Sequence, residues 1–275
     1  NGGDVSDGGN CPEIITRTYI ITDACGNSIN VTQTFTVEDL IPPTASNPPP
    51  VLVQCVGDVP VADPTVVTDE ADNGDLATVT WEDDTSDGLS CPETILRRYR
   101  VTDECGNFIF VTQTITVHDT KAPIFLAPPV AANVQCIGDL PAMTDLAYTD
   151  NCDAAGTVSG SDVSDGLICP ETITRTWTYT DACGNNATET QTITVQDTQM
   201  PVFAAPPAAF TIECIGDVPA MTDLGWTDNC DGAGTVTGAD GAFTGGACGG
   251  TITRTWTYTD ACGNNTIATQ TITVD

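Results

Sequence analysis

The sequence predicts an all-β protein made of tandem immunoglobulin-like β-sandwich repeats of about 79 residues. Three observations carry this. A block of 28 or 29 residues recurs four times, at 11–39, 91–119, 169–197 and 248–275. Inside each block, apolar or aromatic residues alternate with threonine at period two. Helical patterning is nearly absent, and Gly, Pro and Asp interrupt every apolar run within about ten residues.

The third copy shows the block most clearly. It reads CPETITRTWTYTDACGNNATETQTITVQD from Cys169. Ile173, Arg175, Trp177 and Tyr179 share one face of an extended segment, and Thr172, Thr174, Thr176, Thr178 and Thr180 share the other. After Asp-Ala-Cys-Gly-Asn the alternation resumes with Gln191, Ile193 and Val195. Two alternating runs around a Gly-Asn turn predict a hairpin of two long strands. A lone hairpin is marginal in water, so the remainder of each repeat is expected to supply a second sheet.

That remainder is a front half, VQCIGDLPAMTDLAYTDNCDAAGTVSG at 134–160 and IECIGDVPAMTDLGWTDNCDGAGTVTG at 212–238. The version at 53–79 carries Ala71 where the others have Cys152 and Cys230. Pro-rich junctions follow Asp39, Asp119 and Asp197, and proline there stops a strand from extending its ladder. Complete repeats are expected at 40–119, 120–197 and 198–275, with 1–39 the back half of an earlier one. The chain therefore reads as a processed product or a piece of a longer protein. The first hairpin presents Ile15, Tyr19, Phe35 and Val37. At about 25 cal/mol per Å² of apolar area, this face is expected to be covered by upstream chain or by a neighbouring subunit.

Composition narrows the function. A formal charge of −31 with only 7 Lys and Arg argues against a nucleic-acid or anionic-membrane surface, and no apolar stretch is long enough to span a bilayer. Thirteen cysteines in small repeats point to an oxidising, extracellular compartment. Zinc would need two closely spaced ligand pairs, and none is present.

The hairpin motif T-D-x-C-G-N followed by T-Q-T-x-T-V, the D-T-x-x-P junctions and the T-D-N-C-D loops resemble the hyalin-repeat (HYR) family. The resemblance is to its four-cysteine variant, common in very large surface adhesins of gliding bacteria. It implies extracellular, immunoglobulin-like, structural or adhesive modules without catalysis. Ala71 and Gly249-Gly250, which stand where other copies have Cys and Pro-Glu, depart from the pattern.

Individual residues fit that picture. The single histidine, His118, sits beside a linker and has no recognisable catalytic partners. Arg17, Arg97, Arg175 and Arg254 recur on the inward face, and a buried guanidinium needs a carboxylate. Asp58, Asp139 and Asp217 of the C-x-G-D turns are the expected partners of Arg97, Arg175 and Arg254. Trp177, Trp256, Tyr179 and Tyr258 alternate in register with Ile173 and Ile252, which predicts core rather than a carbohydrate platform. Asn30, Asn186 and Asn264 begin N-glycosylation sequons.

Two constellations define the candidate sites. Cys169 and Cys183 are separated by a strand of about ten residues at ~3.3 Å each, too far for a disulfide. If the loop after the second strand and the last hairpin turn share one pole, the expected pairs are Cys152–Cys183 and Cys230–Cys262. Cys136–Cys169, Cys214–Cys248 and Cys55–Cys91 then lie at the other pole. Cys105 is left free, and Cys11 and Cys25 pair upstream. The same topology gathers acidic groups at the junctions. They are Asp39, Asp69, Asp72, Asp103 and Asn107 at the first, and Asp119, Asp150, Asp153, Asp181 and Asn185 at the second. The third has Asp197, Asp228, Asp231, Asp260 and Asn264. Two readings stand side by side: these groups cap their own turns, or they hold a divalent cation, Ca²⁺ first, by hard oxygen ligation. Expected partners are neighbouring repeats of a long chain, other copies in a filament, or a surface or glycan ligand.

Overall fold

The computed structural model describes residues 2–73, 78–246 and 249–275. They fold into two compact units, one of Asn1–Pro123 with Asp150–Ala154 and Thr180–Asn185, the other of Ile124–Thr149, Ala155–Tyr179 and Asn186–Asp275. Each is built of β-sheets with immunoglobulin-like sandwich packing.

The first unit contains two long hairpins. Glu13–Thr22 pairs with Ser28–Val37, and the short strand Asp4–Ser6 lies on its outer edge. Glu93–Thr102 pairs with Phe108–Val117 in a four-stranded sheet, flanked by Thr78–Ser86 and by Val51–Val53, which runs parallel to the last strand. The alternation read from sequence is the inward face. Tyr99, Val101, Val111 and Ile115 are buried. The Cys-Gly-Asn turns need left-handed glycines, Gly26 at φ 93° and Gly106 at φ 86°.

In the second unit the same hairpin is formed by Glu171–Thr180 with Asn186–Val195, and again by Gly249–Thr259 with Asn265–Val274. A smaller antiparallel sheet faces each one: Ile124–Phe125, Leu146–Thr149 and Gly156–Val158, and then Val202–Phe203, Leu224–Asp228 and Gly232–Val236. The layers meet through aromatic stacking, Tyr148 on Tyr179 at 3.8 Å and Trp226 on Tyr258 at 3.7 Å. Trp177 and Trp256 are fully buried, and their indole N–H groups donate to the carbonyls of Thr144 at 3.1 Å and Thr222 at 3.0 Å. These rings are core and offer no sugar platform.

Glutamines that recur at the same place in each block fix the Pro-rich passages. Gln113 donates to the Pro49 carbonyl, Gln191 to Val130 and Gln270 to Ala208. Each passage then leads into a short strand parallel to the last strand of its hairpin.

The inward arginines find different partners from those expected. Arg97 binds Asp84 through two nitrogens at 2.9 and 2.8 Å, Arg175 binds Asp162 at 2.7 and 2.9 Å, and Arg254 binds Asp240 at 2.6 and 2.9 Å. The reason is register: each aspartate stands directly opposite its arginine on the adjoining strand. Arg17 and Asp4 repeat the pair in the first hairpin. Asp58 and Asp139 instead accept the amides of Cys55 and Cys136 in their own turns, and in the equivalent turn the backbone amide of Asp217 donates to the Cys214 carbonyl at 2.9 Å.

The first hairpin differs from the others. None of its residues is buried. Val31 and Val37 are 45% and 51% exposed, against 2% and 7% for their equivalents Val111 and Val117. Of the face expected to be covered, Val37 is exposed, whereas Ile15, Tyr19 and Phe35 are half-buried.

Candidate functional site

The recurring site lies where the acidic junctions meet the cysteines. The disulfides join cysteines 92 to 97 residues apart: Cys11–Cys105, Cys55–Cys152, Cys91–Cys183, Cys136–Cys230 and Cys169–Cys262. This overturns the expected pairs Cys55–Cys91, Cys136–Cys169, Cys152–Cys183 and Cys230–Cys262. The T-D-N-C-D loop and the last turn of one repeat do lie together, since Asp153 accepts the Ala182 amide at 3.1 Å and Asp231 that of Ala261 at 2.9 Å. Their cysteines, however, point away from each other, to the C-x-G-D turn and the hairpin start of the preceding repeat. Two disulfides therefore close each complete seam. Cys105 is bonded to Cys11, neither free nor upstream-paired as expected. Among the described residues Cys25 and Cys214 are unbonded and exposed. The expected Cys214–Cys248 pair lies outside the described residues at Cys248.

Around each seam the acidic residues are of two kinds, and Asp103 belongs to both. Asp103, Asp181 and Asp260 close their own Cys-Gly-Asn turns. Asp181, for example, accepts the amides of Cys183 and Asn185 through Oδ1 and the Asn185 side chain through Oδ2. The asparagines then reach into the junction: Asn107, Asn185 and Asn264 donate to the backbone carbonyls of Asp39, Asp119 and Asp197 at 3.0, 3.1 and 3.1 Å. Asp69 is taken up by the Ser46 amide. For Asp69, Asp181, Asp260 and the asparagines, turn and junction capping accounts for the side chain.

The second kind clusters. Carboxylate oxygens of Asp39, Asp72 and Asp103 lie within 4.8 Å of one another, as do ligand atoms of Asp119, Asp150 and Cys152, and of Asp197, Asp228 and Cys230. The cysteine sulfurs are in disulfides, so oxygen is the available donor, which suits a hard cation. Three buried oxygens here have no hydrogen-bond partner: Asp150 Oδ1, Asp197 Oδ2 and Asp228 Oδ2. Asp197 is only 5% exposed, and its other oxygen accepts from the Gln199 amide and the Asn229 side chain. A buried carboxylate oxygen left without a donor is costly, and a cation would satisfy it. At Asp119, burial alone would raise the carboxyl. Donation from the Lys121 amide and Asn151 outweighs it and holds Asp119 below its ordinary value.

The fold and seams define a tandem β-sandwich repeat protein stapled by disulfides. Residues 124–195 and 202–274, more than half of the chain, match the HYR-like domain with four cysteines, and the chain belongs to that family. No curated protein matches the chain significantly. Among solved structures, a protocadherin gammaB7 EC3-6 cis-dimer is 11% identical over 96% of this chain and 85% of that one, with a TM-score of 0.33. Cadherin domains 1–4 of protocadherin gamma B7 are 12% identical over 96% and 83%, at 0.30. The human desmocollin-1 ectodomain is 12% identical over 86% and 60%, at 0.26. These scores are too low to carry a shared function. No helix among the described residues is long and apolar enough to cross a membrane.

Proposed function

We propose that this chain is a non-catalytic segment of an extracellular rod or stalk, part of a large adhesive surface protein of the kind found in gliding bacteria. Its working units are the repeats at 40–119, 120–197 and 198–275, following the half repeat 1–39. The observation that carries the reading is the set of disulfides between successive repeats, which needs an oxidising compartment and converts a string of small domains into one covalent body. The acidic surface keeps rods soluble and apart. The seams bind a divalent cation, Ca²⁺ first, through the orphaned oxygens of Asp150, Asp197 and Asp228. The test is antibody labelling of cells that make the protein. Intact cells are expected to label, whereas a signal only after permeabilisation contradicts the reading.

A second reading rests on the first hairpin, whose inward residues are half-buried or exposed rather than buried. A filament subunit would have this face covered by strands of a neighbouring molecule. The native mass separates the two: far above 28.6 kDa favours the stalk, and a match favours the polymer.

A further inference from the structure

We infer that the disulfides form a covalent shortcut through the chain, and that tension applied at its ends runs along that shortcut with almost no slack. The argument is connectivity. From Cys11 the shortest covalent route crosses to Cys105, follows the backbone in reverse to Cys91, crosses to Cys183, goes back to Cys169 and crosses to Cys262. Each backward step is only fourteen residues. Everything else between Cys11 and Cys262 hangs beside this route and bears no tension while the bridges hold.

The two backbone steps are already extended in the folded state. They contain the strands Glu93–Thr102 and Glu171–Thr180, and a strand at about 3.3 Å per residue has little length left to give. Unfolding the sandwiches therefore yields almost no extra reach along the route. In an ordinary tandem array each domain lengthens severalfold when it unfolds. Here the domains are bypassed, and the limit is set by covalent bonds rather than by domain stability. Cys55–Cys152 and Cys136–Cys230 form a separate route, joined by sixteen residues between Cys136 and Cys152. It is not part of the shortest path, so it staples the seams without setting the maximum length. This inference deepens the rod reading, but it depends only on disulfide pairing and is independent of cation binding and of location.

Single-molecule force spectroscopy on the whole 275-residue chain, held by its two ends, tests it. The oxidised chain is expected to reach no more than about 200 Å before a covalent bond breaks, and the chain in dithiothreitol about 990 Å, at ~3.6 Å per fully extended residue. Removing the bridge with Cys91→Ala and Cys183→Ala is expected to add about 115 Å to the oxidised limit, because the shortest route then runs through Cys55–Cys152 and thirty-three further residue steps enter the path. Removing the other bridge with Cys55→Ala and Cys152→Ala is expected to add nothing. An oxidised wild-type chain that extends several hundred Å overturns the inference. So does a Cys55/Cys152 variant that lengthens as much as the Cys91/Cys183 variant. The wild-type comparison with and without reductant decides the matter even if a variant folds poorly.

Discussion

The side-chain amide of Asn264 donates to the backbone carbonyl of Asp197 at 3.1 Å. One residue of a hairpin turn thereby fixes the junction that precedes its own repeat, while its other contact, to Asp260 at 2.8 Å, fixes the turn. Asn264→Ala removes both and leaves a largely buried junction short of a donor. We expect a loss of about 1–2 kcal/mol, measured by denaturant unfolding under oxidising conditions. Glycosylation at this sequon would occupy the same nitrogen, so a glycosylating host is expected to yield a destabilised product.

The Arg175–Asp162 pair makes a second prediction. The guanidinium side chain is 4% exposed and the carboxylate 32%. Asp162→Ala strands a buried cation and is expected to cost about 1–3 kcal/mol, below the full buried-pair value because water reaches Asp162. The double change Arg175→Met with Asp162→Leu should recover most of that loss. If the double variant is as unstable as the single one, the cost comes from packing and not from the unpaired charge.

Acid stability follows from the same pairs. Asp84, Asp162 and Asp240 are each held below the ordinary carboxylate range, first by the hydrogen bonds from Arg97, Arg175 and Arg254. A depressed folded value means the contribution is present above the unfolded pKa of roughly 3.9 and is lost as pH falls through the folded one. The melting temperature is expected to show no loss from these pairs between pH 7 and about 5 and to fall below about pH 4. Scanning calorimetry across that range checks it. A steep loss already at pH 6 contradicts this assignment.

Gly160 and Gly238 give a packing test. A Cβ at Gly160 would lie 2.9 Å from the Trp177 indole, and one at Gly238 2.8 Å from Trp256 Nε1. Both indoles are buried and hydrogen-bonded, so neither ring can yield cheaply. Gly160→Ala and Gly238→Ala are each expected to destabilise by about 1–3 kcal/mol. Equal stability to wild type would show that the indole can move.

For the cation, calcium at a hundred times its dissociation constant would add about 2.7 kcal/mol. Adding Ca²⁺ is expected to raise the melting temperature of wild type, and the combined Asp150→Asn, Asp197→Asn and Asp228→Asn variant should lose that response. If chelator leaves the wild-type melting temperature unchanged, capping explains the seams and the cation reading fails.

The hairpins were legible because period-two alternation and the Cys-Gly-Asn turn are local signals. Ile173, Trp177 and Ile193 are where the alternation puts them. The arginine partners were missed because Asp162 and Asp240 sit on strands of only four and two residues, and Asp84 sits on a strand broken by a register shift, although an aspartate 13 or 14 residues before each inward arginine is visible. Asp58, Asp139 and Asp217 recur just as regularly, but they serve their own turns. The cysteine pairing was not legible at all. Spacing constrains which cysteines cannot meet within a strand, and it says nothing about which repeat a side chain faces.

The measurement that tests the central claim most directly is disulfide mapping of the native, alkylated chain by non-reducing peptide mass spectrometry. The account predicts Cys55–Cys152, Cys91–Cys183, Cys136–Cys230 and Cys169–Cys262, each joining one repeat to the next. Peptides linking Cys136 to Cys169 or Cys152 to Cys183 would place the bonds within repeats and contradict it.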